Sequence, residues 1–565
     1  MQSPAPVPLV RIVLGAALIV AAMQLLLLVT SNAAVLQGQL FDPDSYLHLE
    51  RARQMLIDGP AGDPRLNAPF GFSIHWTRLF DGLLAAGAMP LLWFGLDLRQ
   101  ALFVWGSVIS PLLLVAALAA FAWGTRPLLP GWRFLWLTVL IFIQPQLSGA
   151  FLAGRPDHQS LVTGLLLVQM AWAFAVMDGR AGRIAALLAG VAAGLQLCTS
   201  VEALLSLGVI GASLLIGWAW LRRPVLAALA LYGAGAFGTV LLYLGLAHSF
   251  APAYDRVSIV HLVVLGGGLG GLALLGLASR LTGISRALLL APAFLAAALP
   301  VLCLYPAFFA GPWADIDPVL TQWHRGISEL QPLWPASFRG FWHFLVQFAA
   351  PLIALPLAIA RLRTGPATER TAMLVCLVGF AVFGALSLYQ MRWSREMQVA
   401  MLLPFTLTTL RLWASTRHWG PIALRGPLLA SVLLVQLTPG LLAPSREIAG
   451  LTTRSACDWS AAATALGGRF PPDIPGGVLL TQLWYGPEIL WRSGLDVVGG
   501  PYEMAPAIAD TWRFEQASAA QARAVLIERR VGHVLTCGAR ADAAVLGLAA
   551  EPFSVAGFAL YRVRP

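Results

Sequence analysis

Long apolar segments, separated by short polar ones, occupy most of the chain up to residue 443. A helix needs about 20 consecutive apolar residues to cross a bilayer, so this pattern predicts about thirteen transmembrane helices. They lie near residues 8–30, 101–123, 134–150, 159–177, 183–199, 203–221, 226–247, 258–278, 285–308, 341–361, 371–390, 397–412 and 421–443.

The arginines support this topology because positively charged residues gather in cytoplasmic loops. With the N-terminus inside, every predicted inner loop carries arginine: Arg126 and Arg133, Arg180 and Arg183, Arg222 and Arg223, Arg280 and Arg286, Arg361 through Arg370, and Arg411 and Arg417. A further apolar run at 79–96 would invert the later loops if it spanned. We therefore interpret it as an interfacial helix of the first external loop.

The pattern changes after residue 443, where polar and apolar residues are mixed. Short strand-like runs with helix-like stretches between them predict a small α/β domain at 444–565 on the outer face. The strand-like runs lie at 477–483, 532–537 and 557–563. Residues 1–443 would then form the transmembrane domain, with long external loops at about 31–100 and 309–340.

Composition agrees with a polytopic membrane protein, since 58% of the residues are hydrophobic and 11% charged, against about 25% charged in soluble domains. The net charge is +10 with no lysine, but arginines in cytoplasmic loops explain it without a nucleic-acid partner. The first apolar run is long enough to span and stay, so we expect no cleaved signal peptide. Cys457 and Cys537 could form a disulfide outside the cell or be two unrelated thiols.

The most informative polar stretch is 41–51, which follows the first apolar run and contains Asp42, Asp44, Tyr46 and His48. Carboxylates at a membrane exit either cap a helix or hold a divalent cation against a phosphorylated substrate. Both interpretations are open for this stretch. Three further external segments carry polar groups without an evident packing role, at 154–159, 326–332 and 390–396.

The topology puts these four segments on one face of the membrane. Asp44, Asp157 and Glu329 could then meet around one hard cation with oxygen ligands, such as Mg²⁺ or Mn²⁺. Arg392 could face an anionic group, and a diphosphate substrate would use both parts. Each residue also has a simpler interpretation. Asp157 could cap the helix that follows, Glu329 could be solvated, and Arg392 and Arg395 could anchor to headgroups.

These motifs resemble those of the catalytic subunit of oligosaccharyltransferases, a family of GT-C-fold membrane glycosyltransferases. Asp44-Ser45-Tyr46 matches the Asp-x-Tyr end of the family's first acidic motif, and archaeal-type members continue with His and Arg, much as His48 and Arg51 do. The second acidic motif is similar to Asp157-His158-Gln159, and the third to Ile327-Ser328-Glu329. The passage 67–81, which includes His75 and Arg78, is similar to a conserved Pro-x-Gly and Trp-x-Pro-Leu-Phe-Asp passage of the family.

The resemblance implies a GT-C-type polytopic helical membrane protein with a small C-terminal extracytoplasmic α/β domain. It implies that Asp44, Asp157 and Glu329 bind a divalent cation, and that Asp44 and Glu329 also orient the acceptor. Relatives hold a stronger metal ligand at the position of Gln159. The donor phosphate would meet Arg392, with Arg395 and His158 as further candidates. Additional site candidates are Asp42, His48, His75 and Arg78.

One motif departs from the family. Its soluble domain carries Trp-Trp-Asp-Tyr-Gly, which reads the hydroxyl of an Asn-x-Ser/Thr acceptor, and the counterpart here is Gln482-Leu483-Trp484-Tyr485-Gly486. Trp484 stands at the aspartate position and cannot accept that hydrogen bond. The predicted acceptor-binding residues are Trp484, Tyr485 and Tyr46. The acceptor could be a different peptide motif, or a lipid or polysaccharide.

We therefore expect an inverting membrane glycosyltransferase that takes a sugar or oligosaccharide from a polyprenyl phosphate or diphosphate. It would act in a bacterial inner membrane, with the active site and the C-terminal domain on the periplasmic side. The alternative is a transporter or flippase for a lipid-linked glycan. A transporter would place ionisable groups near the midplane in paired, broken helices, whereas here they crowd one face and no internal repeat is evident.

Overall fold

Twenty α-helices and five strands form the part of the chain described by the computed structural model, which comprises residues 7–59, 63, 65–281, 284–311, 316–335, 338–416 and 457–564. The helices before residue 416 are α1 (Leu9–Thr30), α2 (Pro43–Asp58), α3 (Leu79–Trp93), α4 (Leu98–Thr125), α5 (Trp132–Ile141), α6 (Pro145–Gly149), α7 (His158–Met177), α8 (Arg183–Thr199), α9 (Ala203–Ala219), α10 (Leu226–Ala247), α11 (Ile259–Leu281), α12 (Arg286–Leu304), α13 (Pro318–His324), α14 (Phe338–Thr364), α15 (Ala367–Tyr389) and α16 (Ser394–Ser415).

Eight of the described helices are long and apolar enough to cross a membrane, namely α1, α4, α7, α10, α11, α12, α14 and α15. The chain is therefore an integral, multi-pass membrane protein. The predicted spans at 183–199 and 203–221 form α8 and α9, which have 17 residues each. The predicted span at 421–443 lies outside the described residues, so the expected count of thirteen stays a prediction.

One predicted span, at 134–150, is divided in two in the structure, as α5 and α6. Gln144 lies between them in an extended conformation, with φ −101° and ψ 106°, as expected of a residue that precedes a proline. Pro145 then opens α6, where its missing N–H is not needed. The backbone N–H of Leu147 donates to Gln398 of α16 at 3.0 Å, so the break is anchored by a polar contact.

Helix α2 connects several parts of the fold by its packing. Its N-cap is Asp42, whose side chain accepts a hydrogen bond from the backbone N–H of Ser45, and Pro43 occupies the first turn. Residues 45–54 are all buried, because α2 packs against α3, α4 and the C-terminal segment at once. Helix α3 lies beside it, and Trp93 at its end is 83% exposed.

The C-terminal part is a small α/β unit with helices α17 (Trp459–Arg469), α18 (Gly486–Arg492), α19 (Ala505–Gln516) and α20 (Ala519–Glu528). Its strands are β1 (Val478–Leu480), β2 (Asp496–Val497), β3 (Val531–Cys537), β4 (Leu548–Glu551) and β5 (Phe558–Val563). The strand order is β2-β1-β3-β5-β4. β1 pairs in parallel with β2 and β3, and β5 pairs antiparallel with β3 and β4.

The three predicted strands are thus confirmed as β1, β3 and β5, while the shorter β2 and β4 were not predicted. Cys457 and Cys537 form a disulfide. The expected boundary near 443 lies outside the described residues and stays a prediction.

The first external loop packs against this C-terminal unit through backbone hydrogen bonds and a shared apolar core. The backbone N–H of Ala68 donates to Val497 at 3.0 Å, and that of Val497 donates to Arg65 at 3.0 Å. Leu47, Leu66 and Ile74 from the loop share one apolar core with the C-terminal unit. The loop and the C-terminal unit therefore form one continuous face, on which the polar motifs lie.

Candidate active site

Arg155 contacts two aspartates near the start of α2. We call the group of Asp42, Asp44 and Asp157 the acidic corner. Arg155 Nε donates to Asp42 at 2.6 Å, and its Nη2 lies 3.1 Å from Asp157. Both aspartates are helix N-caps, Asp42 for α2 and Asp157 for α7. The capping interpretation therefore holds for these two residues, whereas Asp44 lies in the first turn of α2 and is not the cap.

Capping leaves one oxygen of Asp157 available. The carboxylate accepts from the backbone N–H of Gln159 at 3.1 Å through Oδ1, while the buried Oδ2 makes no hydrogen bond of good geometry and lies 3.1 Å from Arg155 Nη2. Although burial opposes it, His158 and Arg155 hold the pKa of Asp157 well below its usual range. A buried ionised carboxylate with a free lone pair is a good ligand for a cation.

Asp44 lies where negative charge is in excess. Burial raises the pKa of its carboxyl group well above the usual value, and Asp42, Asp157 and Glu329 raise it further, with Arg155 opposing them. The structure therefore brings the three predicted acidic ligands, Asp44, Asp157 and Glu329, within electrostatic reach of one another. Such a cluster is unfavourable unless a proton or a cation offsets the repulsion.

His48 and His158 complete this corner on its buried side. Their nearest ring nitrogens, His48 Nε2 and His158 Nδ1, are 3.0 Å apart. Together with Asp157 they form a group whose ligand atoms all lie within 4.8 Å of one another and could hold a metal ion. The carboxylate of Asp81 lies 2.7 Å from the other ring nitrogen of His48. Gln159, predicted as a weak ligand, contacts His158 at 3.2 Å instead.

Glu329 reaches the site from the long external loop. It lies in a short 3₁₀ turn, Ser328–Leu330, and is exposed. The next residue but one, Gln331, fixes the turn, since its carbonyl accepts from the N–H of Met391 at 2.8 Å. Helix α13 precedes the turn and packs through Leu320 and Trp323 on the C-terminal unit. The position of Glu329 therefore depends on contacts at both ends of its loop.

Arg392 has a carboxylate partner that was not assigned from the sequence. Its Nη2 lies 2.8 Å from Glu202, at the start of α9. Although burial opposes it, Glu202 and Glu329 both raise the pKa of Arg392, so the guanidinium lies near the acidic ligands as well. Arg395 is buried and pairs with the adjacent Glu396 at 3.2 Å. Arg392 therefore has an electrostatic link to Glu329, which supports it as the arginine beside the acidic ligands.

Several predicted site residues make structural contacts instead. The Tyr46 hydroxyl donates to Glu488 at 2.9 Å and accepts from the backbone N–H of Leu40, and its side chain is buried. His75 pairs with Glu503 at 2.9 Å, and Arg78 with Asp63 at 3.1 Å. These contacts join the first external loop to itself and to the C-terminal unit.

The two predicted acceptor residues of the C-terminal unit, Trp484 and Tyr485, differ in how accessible their rings are to a ligand. Trp484 is 39% exposed, and its ring lies 5.3 Å from that of Trp323 in α13. Tyr485 stacks on Trp459 at 4.4 Å inside the C-terminal unit. Trp484 is thus available to a ligand beside the loop that carries Glu329, whereas the ring of Tyr485 is engaged in packing.

Two further residues near the site were not predicted. Tyr502 is buried, and burial together with the charge of Asp44 raises the pKa of its hydroxyl well above the usual value. Trp76 stacks on His48 with ring centroids 4.9 Å apart and also contacts Tyr502. No local motif marks Tyr502, because it reaches the site through the packing of the C-terminal unit on α2.

Comparison with known proteins identifies the fold. No family model and no curated protein matches the sequence. Among solved structures, the oligosaccharyltransferase AglB from Archaeoglobus fulgidus, bound to an inhibitory peptide and a dolichol-phosphate, covers 93% of this chain and 69% of its own, with TM-score 0.73 and 14% identity. The same enzyme tethered to a peptide with an NVT sequon covers 97% and 74%, with TM-score 0.69 and 14% identity.

A third structure, the A. fulgidus enzyme in complex with Zn and sulfate, covers 93% of this chain and 67% of its own, with TM-score 0.64 and 15% identity. At such low identity the likeness concerns the fold and not the chemistry. The chain therefore has the GT-C fold of the oligosaccharyltransferases, as its acidic motifs implied.

Proposed function

We propose that this protein is an inverting, polyprenyl-dependent membrane glycosyltransferase. The observation that carries the proposal is the convergence on Asp44 of Asp157 and Glu329 from two other segments of the chain. This convergence occurs in a GT-C fold, beside Arg392. A phosphate-linked sugar needs charge neutralisation at its leaving group and a positioned acceptor. These residues are suited to supply both.

Asp44, Asp157 and Glu329 would hold a divalent cation such as Mg²⁺ or Mn²⁺. The fit rests on the buried Oδ2 of Asp157, which faces Arg155 but makes no hydrogen bond of good geometry, and on the excess negative charge around Asp44. When bound, such a cation neutralises charge that develops on a phosphate leaving group.

The protein's own groups would do the positioning. Asp44 and Glu329 would orient the acceptor by accepting hydrogen bonds from its nucleophile. Arg392 would bind the donor phosphate and exchange its contact with Glu202 for one with the phosphate oxygens. Arginine suits this role because its planar guanidinium binds two phosphate oxygens at once.

The acceptor would be recognised beside Trp484. An indole face offers stacking on a sugar ring or an aromatic side chain, and its N–H only donates. This supports an acceptor other than an Asn-x-Ser/Thr peptide, such as another peptide motif, a lipid or a polysaccharide. The exposed Trp484 beside Trp323 of α13 would form the acceptor surface.

The proposed location is a bacterial inner membrane, with the carboxylates and the C-terminal unit on the periplasmic side. This orientation is supported by the arginines of the inner loops, which the predicted topology puts opposite the acidic motifs.

A donor assay tests the proposal. The purified protein, in proteoliposomes, is given radiolabelled sugars linked either to polyprenyl phosphates or to nucleotides, with periplasmic lipids, peptides and polysaccharides as acceptors. We expect transfer from the polyprenyl-linked donor alone. Product from the nucleotide sugar would contradict the proposal, as would movement of intact lipid-linked sugar across the bilayer without transfer, which is the result that a flippase would give.

A further inference from the structure

Three ligand atoms face one another on the buried side of the acidic corner. His158 Nδ1 lies 3.0 Å from His48 Nε2 and 3.0 Å from Asp157 Oδ1. All three side chains are buried: the residues are 0% (His48), 4% (His158) and 1% (Asp157) exposed. They come from α2 and from the start of α7, so the tertiary fold and not a local motif brings them together.

The positions of the protons show which of these atoms are acceptors. Asp81 lies 2.7 Å from His48 Nδ1, and Arg51 holds the same aspartate ionised at 2.9 Å. His48 Nδ1 therefore carries the proton and donates it to Asp81, which leaves a lone pair on Nε2. Nε2 and the Asp157 carboxylate are thus both acceptors that face His158 Nδ1, and each keeps lone pairs that a cation between them could use.

The rings are held in place by their neighbours. Trp76 stacks on His48 with an interplanar angle of 18°, and Phe80 meets the same ring edge-on at 5.0 Å. Trp76 also contacts the ring of His158 at 4.8 Å. A carboxylate that fixes the far nitrogen of a histidine is the usual support for a metal-binding imidazole. Asp81 has that position relative to His48.

We propose that His48 Nε2 and His158 Nδ1, with Asp157, are ligands of the divalent cation in this chain. Imidazole nitrogen suits Zn²⁺ and its d-block neighbours, whereas Mg²⁺ strongly prefers oxygen. The site should therefore select Zn²⁺, Co²⁺ or Mn²⁺ over Mg²⁺. The two imidazoles would replace the ligand that is weakened where Gln159 stands. The catalytic meaning of this site rests on the proposed function, but the binding of metal can be measured without it.

The test uses Co²⁺ as a spectroscopic probe on the full-length protein in detergent, after removal of bound metal. We expect one Co²⁺ per chain, with visible absorption bands whose intensity and energy indicate nitrogen ligands. Zn²⁺ should displace Co²⁺ when present in equal amount, and a 100-fold excess of Mg²⁺ should not. This comparison needs only the wild-type chain, so it does not depend on whether variants fold.

Variants then assign the ligands. His48→Gln and His158→Gln should each weaken Co²⁺ binding by at least about tenfold, the smaller end of the loss seen when even an outer-shell partner is removed. The matched control is His261→Gln, which replaces a buried histidine of α11 whose Nδ1 accepts from the backbone N–H of Ser258. It should leave the Co²⁺ affinity and spectrum unchanged.

Three results would overturn the inference. They are displacement of Co²⁺ by Mg²⁺ as readily as by Zn²⁺, a spectrum of oxygen ligands alone, and unchanged affinity in both histidine variants. If Co²⁺ still bound and Asp44→Asn abolished that binding, the all-oxygen site of the proposed function would stand without the histidines. Absence of any Co²⁺ or Mg²⁺ binding would contradict both.

Discussion

Asp44 and Glu50 lie six residues apart on helix α2, and the charges around their carboxylates are opposite. Glu50 is enclosed by arginines: Arg53 contacts it at 2.8 Å and Arg65 at 2.7 Å, with Arg99 at 3.9 Å. Burial raises the pKa of Glu50, but these guanidinium groups lower it more, and the net direction is down. Around Asp44, by contrast, carboxylates dominate and the pKa is raised.

On this difference rests our assignment of a structural role to Glu50 and our proposal of a functional role for Asp44. The ionised form of Glu50 is satisfied by the fold itself, and its partners tie α2 to the C-terminal unit, since Arg65 also contacts Asp496 at 3.0 Å. The ionised form of Asp44 is unfavourable in the protein alone and becomes favourable when a cation is added. Strongly perturbed acids in a cleft are typical of active sites for this reason.

The largest effect is expected at Asp44. Asp44→Ala should reduce glycosyl transfer by about 100-fold or more, a loss typical when an electrostatic group at the reacting centre is removed. The melting temperature of the purified protein should stay the same or rise, because a repelling charge is lost. Asp473→Ala is the control, since that side chain is 80% exposed and its shortest contacts with arginine exceed 3.5 Å. Activity of Asp44→Ala within about twofold of wild type would refute the functional side of the comparison.

Glu50→Gln should lower the stability of the protein, in contrast to Asp44→Ala. It leaves buried arginines without their carboxylate, which costs about 3–5 kcal/mol when one partner of a buried pair is removed. A drop in the melting temperature measures this. Because the pKa of Glu50 is lowered by folding, its stabilisation is present above the ordinary glutamate pKa of about 4.3 and is lost as the pH falls through the folded value.

The stability difference between wild type and Glu50→Gln should therefore narrow in acid. A difference that stays constant from pH 7 to pH 3 would show that Glu50 is not ionised in the fold.

The two arginines near the site should differ in donor binding. Arg392→Ala should weaken binding of a polyprenyl phosphate analogue by about 2–5 kcal/mol, the cost of removing one partner of a buried charge pair. Arg395→Ala should weaken it less, because Arg395 is committed to the adjacent Glu396. A titration that ranks the two variants the other way would move the donor phosphate to Arg395.

The smallest effect is expected at the acceptor surface. An Asn-x-Thr peptide should be no better an acceptor than its Asn-x-Ala counterpart, because Trp484 cannot accept a hydrogen bond from the threonine hydroxyl. Trp484→Ala should impair use of the true acceptor and leave donor binding unchanged. Competition between matched peptides in membranes that contain the native donor measures this. A strong preference for the threonine peptide would show that another group of the C-terminal unit reads the hydroxyl.

Sequence alone was sufficient for the features that depend on local pattern. Apolar runs gave most of the membrane helices, and Asp44, Asp157 and Glu329 were predicted to meet because the topology placed their segments on one face. The break at Pro145 was missed because apolar residues resume at Leu147, beyond the polar Gln144 and Gln146 that flank the proline. Strands β2 and β4 were missed because two and four residues are too few to show a period.

Contacts between distant segments could not be predicted in the same way. The pairing of Arg392 with Glu202, the approach of Tyr502 to Asp44 and the stacking of Trp76 on His48 join residues about 25 to 460 positions apart along the chain. Only three-dimensional packing brings them together. For the same reason Tyr46 was predicted in the acceptor site, although its hydroxyl donates to Glu488 across the interface with the C-terminal unit.

The most direct test of the central claim is the dependence of transfer on a divalent cation. Purified protein in proteoliposomes is stripped of metal by exhaustive chelation and assayed with its lipid-linked donor, before and after Mn²⁺ is added back. Because burial and the carboxylates of Asp42, Asp157 and Glu329 disfavour the ionised form of Asp44, we expect chelation to stop transfer and Mn²⁺ to restore it. Full turnover after exhaustive chelation, with metal content verified at far less than one ion per chain, would contradict the account.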